Sequence, residues 1–466
     1  MAIKLSPMTI SGKEVLPLVE GGKGVAISTG QCTGAWAAAG GVGTFSAVNA
    51  DRVNPDGSIV PLVYKGKSRV ARFEELVQNG IEGGIAQARI AHETSGGNGR
   101  IHMNVLWEMG GAERVLHGVL EGAKGLIHGV TCGAGMPFKL APIAASFGVH
   151  YYPIVSSARA FRALWLRSYR KHPEWLGGVV YEDPWLAGGH NGLSNTEDPE
   201  RPEAPYPRVA ELRATMNSFG LNNVPIFMAG GVWYLRDWAN WIDNPELGPI
   251  AFQYGTRPML TQESPIPEIW KQKLLTLKEG DVFLNRFSPT GFYSSAVNNS
   301  FMRELRMRSS REIACVDHPT GDHTELFVYG SRNREVYLVP HDAERARGWM
   351  AQGFVKPLIT PDSTLIFVDE AKAMEIRQDQ LDCVGCLSQC NFSNWAANEL
   401  GTTGRKGDPR SFCIQKTLQA IAHGADPEHE LMFAGHAAYE FGRDPFYANG
   451  FIPTVKQLVE RIATGE

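Results

Sequence analysis

An α/β chain built on a (β/α)8 barrel, with an additional C-terminal segment carrying a cysteine cluster, is what three features of this 466-residue sequence predict. Short β-branched or apolar runs alternate with helix-like stretches from residue 16 to about 260. Eight such runs can be counted, and with their helices they would use up the roughly 250 residues such a barrel needs. Glycine turns follow the sixth, seventh and eighth runs, at the strand ends where barrels bind ligands. The barrel is expected over 1–265 and a smaller mixed α/β unit over 266–466.

In chain order the strands are expected at 15–18, 41–47, 101–106, 125–130, 149–155, 178–181, 224–229 and 249–254. Several starts lie about 25 residues apart, the length of one strand and one helix. Two insertions break the spacing. One, at 51–67, carries Asn54-Pro55-Asp56-Gly57; the other, at 193–207, carries four prolines, and both read as loops over the barrel mouth. Beyond 265 the spacing stops, leaving a strand at 325–329, the cysteine cluster at 383–413 and a last helix through 453–462 with Val455, Leu458 and Ile462 inward.

Composition narrows the function classes. Hydrophobic residues at 43% and charged residues at 20% are ordinary for a globular chain, whereas Gly 51 and Pro 28 are enriched, which suits loops that cradle a ligand. A net charge of -4 provides no basic field for nucleic acid or an anionic membrane, so a small-molecule substrate is expected. No signal-peptide core or membrane-length apolar run is visible, and a cytoplasmic location is expected. Seven cysteines without a secretory signal favour metal or redox chemistry over disulfides.

The glycine turns are Ala187-Gly188-Gly189-His190, Ala229-Gly230-Gly231-Val232 and Gly255-Thr256-Arg257. Loops after the last barrel strands commonly bind phosphate through backbone N–H groups. Competing nucleotide motifs fail. No Gly-x-Gly-x-x-Gly follows a predicted strand, and Gly66-Lys67-Ser68 lacks the leading glycine of a P-loop because position 61 is Pro61. There is no Gly-x-Ser-x-Gly elbow and no His-Glu-x-x-His helix.

Together with Leu16-Pro17-Leu18-Val19, the 35–43 segment, Asn104-Val105, Phe227-Met228 and Gln253-Tyr254, these turns resemble the nitronate monooxygenase family, formerly the 2-nitropropane dioxygenases. The resemblance covers about 15–265. It implies FMN in a TIM barrel, with the phosphate on Gly188, Gly189, Gly230, Gly231, Gly255 and Thr256 and with Asn104 near the flavin ring. It places Gly21 and Gly22 beside the ring, where the family shows an Ala-Pro-Met type sequence, and Asp183 at a position where the family carries an amide or acid before the histidine. His190 is implied as catalytic base or substrate-orienting group, and an ordinary imidazole pKa near 6.5 suits that work.

Cys383, Cys386 and Cys390 form a C-x2-C-x3-C run, and Cys413 follows; four thiolates can hold a [4Fe-4S] cluster or, alternatively, tetrahedral zinc. The run resembles the iron-sulfur segment of the dienoyl-CoA reductase branch of flavin barrel enzymes, with Cys315 as a spare fourth ligand. Cys32 and Cys132 read as core.

The leading expectation is oxidation of a nitronate or related carbanion by FMN and O2. The rival is a reductase of an enoyl thioester or quinone drawing electrons from NAD(P)H or an electron-transfer protein such as ferredoxin, with an iron-sulfur relay. A third class is a phosphate-ligand barrel without flavin. A homo-oligomer is one option for assembly.

Overall fold

The computed structural model describes residues 3, 5–54 and 56–466. Pro55 of the Asn54-Gly57 turn, and Met1, Ala2 and Lys4 of the N-terminal segment, lie outside the described residues.

Eight parallel strands close into a barrel in sequential order. They are β1 (Leu18–Glu20), β2 (Val42–Ser46), β3 (Arg100–Leu106), β4 (Gly129–Gly133), β5 (His150–Val155), β6 (Val179–Glu182), β7 (Ile226–Ala229) and β8 (Ile250–Tyr254). Register runs from Val42↔Arg100 between β2 and β3 to Tyr254↔Glu20, where β8 meets β1 and completes the ring. The strands are almost wholly buried because helices cover their outer face, which is why they read as continuous apolar runs.

All eight expected strands exist, with two shifted. The first begins at Leu18 because 13–15 instead pairs with 8–10 as a hairpin, whose Ser11 hydroxyl bonds buried His102 and Tyr152. The fourth begins at Gly129 because Gly125, at φ +82°, is still in the turn.

Helices α1 (Gly30–Ala38), α2 (Arg69–Thr94), α3 (Ala112–Gly122), α4 (Leu140–Ser146), α5 (Ala158–Arg167) and α6 (Pro205–Ser218) follow strands one to six. Ser68, the last residue of the P-loop-like triplet, is the N-cap of α2 and accepts from the Ala71 N–H. Pro205 and Pro207 lie in the first turn of α6, so the 193–207 loop ends earlier than expected.

After β8 the chain forms α7 (Glu268–Leu275), then the hairpin β9 (Val282–Asn285) and β10 (Ser294–Val297), and β10 also pairs with the two-residue strand Gly189–His190. This pairing brings the C-terminal segment down onto the rim of the barrel. A small three-stranded sheet of 312–314, 356–359 and 364–368 carries its own apolar cluster around Phe327, Leu338 and Phe367. The final helix, Val455–Ala463, is closed by a Thr454/Gln457 capping box and buries Val455, Leu458, Val459 and Ile462, as its periodicity predicts. Among the described residues no helix is long and apolar enough to cross a membrane.

Candidate functional site

The carboxyl ends of the strands open into a cavity of about 260 Å³. Gly21, Gly22, Asn104, Gly188, Gly189, His190, Gly230, Gly231, Gly255 and Thr256 all line it, so ten of the sequence-predicted positions come together from β1, β3, β6, β7 and β8. Gly22 is held by its lack of a side chain, because a Cβ there would overlap Asn104.

The glycine loops present unused donors. Among the described residues, the backbone N–H groups of Gly188, Gly230, Gly231, Gly255 and Thr256 find no acceptor within the chain. Gly230 at φ +94° and Gly231 at φ +76° adopt left-handed backbone that suits glycine, and this turns their amides away from the strand ladder. At Gly255 a Cβ would meet nothing within 4 Å, so open space lies in front of it. Arg257 is buried behind this rim, where it donates to the Trp233 carbonyl at 2.7 Å and pairs through Nη2 with the equally buried Asp444 carboxylate at 3.5 Å. Free amides converging on open space suit a phosphate monoester.

Asp183 is not among the residues that line the cavity. One of its carboxylate oxygens accepts from the N–H groups of Trp185 at 3.0 Å and Leu186 at 2.9 Å, shaping the turn into Gly188. Two acids line the cavity, Glu108 from the loop after β3 and Glu182, the neighbour of Asp183 at the end of β6. Burial, and then the adjacent Asp183 carboxylate, push the Glu182 pKa up to about 8.

His190 is at the expected place with altered chemistry. Its Nε2 shares a 2.6 Å hydrogen bond with Ser288 Oγ, and its ring meets Phe433 edge-on at 5.3 Å. Burial pushes its pKa down to about 4, so at neutral pH the imidazole is uncharged, contrary to the ordinary titration expected from sequence.

Among the described residues, none of 51–67 or 193–207 lines the cavity, so neither insertion is seen at its mouth. The cover comes from C-terminal residues Thr290, Phe292, Leu418, Phe433 and Ala434, among others, and Lys23 joins them from the loop after β1. Lys23 Nζ is tethered to the Gly21 carbonyl at 2.7 Å and the buried Glu20 carboxylate at 3.2 Å. Glu182 was legible as a carboxylate at the end of a barrel strand; the C-terminal cover has no local sequence signal.

The four cysteines Cys383, Cys386, Cys390 and Cys413 gather in one neighbourhood, where burial and then one another's charge raise the Cys386 thiol. Among the described residues, no three His, Cys, Asp or Glu side chains are arranged as a ready metal site. Cys386 also lines the cavity. Cys315 lies apart in the C-terminal sheet with its sulfur on the Ser363 carbonyl at 3.2 Å, and Cys32 and Cys132 are buried in the core as expected.

Residues 127–464 match the family model described as Nitronate monooxygenase. No curated protein matches the sequence. Among solved structures, FabK from Thermotoga maritima aligns at 16% identity with a TM-score of 0.50, over 96% of this chain and 91% of that one. Nitroalkane oxidase from Streptomyces ansochromogenes aligns at 14% identity with a TM-score of 0.51, over 97% and 95%. The enoyl reductase domain of MlnA, from the macrolactin biosynthesis cluster of Bacillus amyloliquefaciens, gives 11% and 0.54 over 96% and 93%. At these identities the structural likeness concerns the fold.

Proposed function

Because the chain belongs to the nitronate monooxygenase family, we propose that it is an FMN-dependent oxidoreductase that oxidises a nitronate or related activated carbanion with O2. The observation that carries this reading is the convergence of unused amides from three successive barrel loops beside His190 in one cavity. Gly188, Gly230, Gly231, Gly255 and Thr256 would hold the phosphate, and Gly21, Gly22 and Asn104 would border the ring. FMN, when bound, supplies electron transfer from the substrate carbon and the reaction with O2.

The chain's own contribution is placement and proton control. Neutral His190, fixed by Ser288, offers the substrate a hydrogen bond without a competing positive charge. Glu182 keeps a proton at neutral pH at the cavity wall. Phe292, Leu418 and Phe433 shield the mouth from water, which strengthens each polar contact inside.

Glu182 also favours a second reading, an NAD(P)H- or ferredoxin-linked reductase of an enoyl thioester or quinone. Reduction of a double bond consumes a proton, and a carboxyl still protonated at neutral pH can deliver it. Anaerobic mixing of the purified protein with a nitronate, NADH and NADPH in turn distinguishes the two. Bleaching of the flavin absorbance by the nitronate supports the first reading, and bleaching only by a nicotinamide supports the second.

A further inference from the structure

The flavin reading leaves the cysteines unused. Cys383, Cys386 and Cys390 belong to the main core, and Cys413, the N-cap of α8 (Ile414–Ala422), packs against it; all four thiols are free. Ser393 Oγ donates to the buried Cys383 Sγ at 2.9 Å. A neutral thiol is a weak acceptor that gains little from such a donor, whereas a thiolate ligand of an anionic cluster is stabilised by it.

The surroundings also contain polar groups with nothing to bond. Among the described residues, the indole N–H of Trp395, a side chain only 1% exposed, has no acceptor, and neither does the hydroxyl of Tyr64. Trp395 lies directly over the cysteine run, since a Cβ on Gly385 would stand 2.7 Å from its ring. Arg72 brings positive charge, its Nε and Nη2 each 3.2 Å from the Cys383 carbonyl.

The backbone holds the run in place. Gly385 takes φ +72° between Cys383 and Cys386, the Gly110 N–H donates to the Cys386 carbonyl at 3.0 Å, and the Ser388 N–H donates to the Glu108 carbonyl at 2.7 Å. The cysteine segment is thereby stitched to the loop after β3, the strand that carries Asn104.

The thiolates of a cubane each bind a different iron, and a spaced run of three cysteines with a fourth from another segment can supply them. We infer that Cys383, Cys386, Cys390 and Cys413 bind a [4Fe-4S] cluster, set against the wall of the barrel cavity to which Cys386 contributes. The cluster site stands on these residues alone; its place beside a flavin rests on the reading above.

The test is iron, zinc and acid-labile sulfide analysis of the full chain purified and reconstituted anaerobically with iron and sulfide, together with electron paramagnetic resonance after dithionite reduction. About four irons and four sulfides per chain with a reduced-cluster signal are expected. Cys386→Ser should lose most of the iron while Cys315→Ser keeps it. Stoichiometric zinc without sulfide, or a folded wild-type chain that takes up no iron, overturns the assignment without recourse to any variant. FMN content measured on the same samples shows separately whether the flavin reading fails.

Discussion

His190 Nε2 and Ser288 Oγ stand 2.6 Å apart, and through this contact the barrel rim and the segment that closes over it share one polar anchor. Gly189 and His190 pair with Ser294 and Ser295 of β10, so the backbone carrying the imidazole is fixed from the same side. The histidine is therefore oriented by residues about a hundred positions downstream.

If that orientation matters for turnover, Ser288→Ala should leave flavin content unchanged and lower kcat/KM by roughly fivefold, the equivalent of one hydrogen bond of about 1 kcal/mol. His190→Ala should cost more, about 10²-fold, with flavin retained. Steady-state rates with a nitronate substrate check both, and equal wild-type rates in the two variants would remove His190 from the chemistry.

Burial of His190 also predicts acid sensitivity. With a folded pKa of about 4 against an unperturbed 6.5, the unfolded chain binds more protons between those values. Stability from this residue is thus complete above about pH 6.5 and falls by up to about 3 kcal/mol as pH drops toward 4. Denaturant titrations between pH 7.5 and 4.5 should show a smaller loss in His190→Gln than in wild type. The comparison isolates this residue from His102, His128 and His150, which burial shifts in the same direction.

Glu182 predicts the opposite limb of the pH profile. A carboxyl with its pKa near 8 is protonated at pH 7 and loses its proton as pH rises through 8. Activity that uses this proton should fall above pH 8 in wild type, and Glu182→Gln, which cannot titrate, should flatten that limb. A log kcat/KM profile from pH 6 to 10 on both proteins measures it.

Substitutions at the glycine rim separate folding from binding. A Cβ at Gly188 would stand 2.5 Å from the Ala434 backbone, and Gly230 has φ +94°, so changes at either disturb the fold itself. Gly255 has open space and no left-handed constraint. Gly255→Val should keep the apoprotein's stability within about 0.5 kcal/mol and weaken FMN binding roughly tenfold or more. Thermal melting of the apoprotein and fluorescence titration with FMN read the two quantities independently.

Much of this was legible in sequence because parallel barrel strands are buried on both faces and announce themselves as apolar runs, while the loops that follow them need glycine where backbone amides must face outward. That logic located Gly188, Gly230 and Gly255 without a structure. It did not single out Glu182, the residue at the end of β6 that lines the cavity, whereas the neighbouring Asp183, which the family resemblance implied, bonds the backbone of the turn that follows. It also assigned the cavity cover to the nearest insertions. The actual cover, Phe292, Leu418 and Phe433, arrives through long-range packing that leaves no mark on local periodicity. The histidine's lowered pKa has the same origin, since the groups that bury it come from the distant C-terminal segment.

The central claim, that the amides at the rim grip the phosphate of FMN, is tested most directly by titrating the folded, flavin-stripped chain with FMN and, in parallel, with riboflavin. Saturable one-to-one binding of FMN, at least tenfold tighter than that of the phosphate-free riboflavin and weakened by Gly255→Val, is the predicted result. Equal affinity for the two, or no binding by a folded chain, would contradict it.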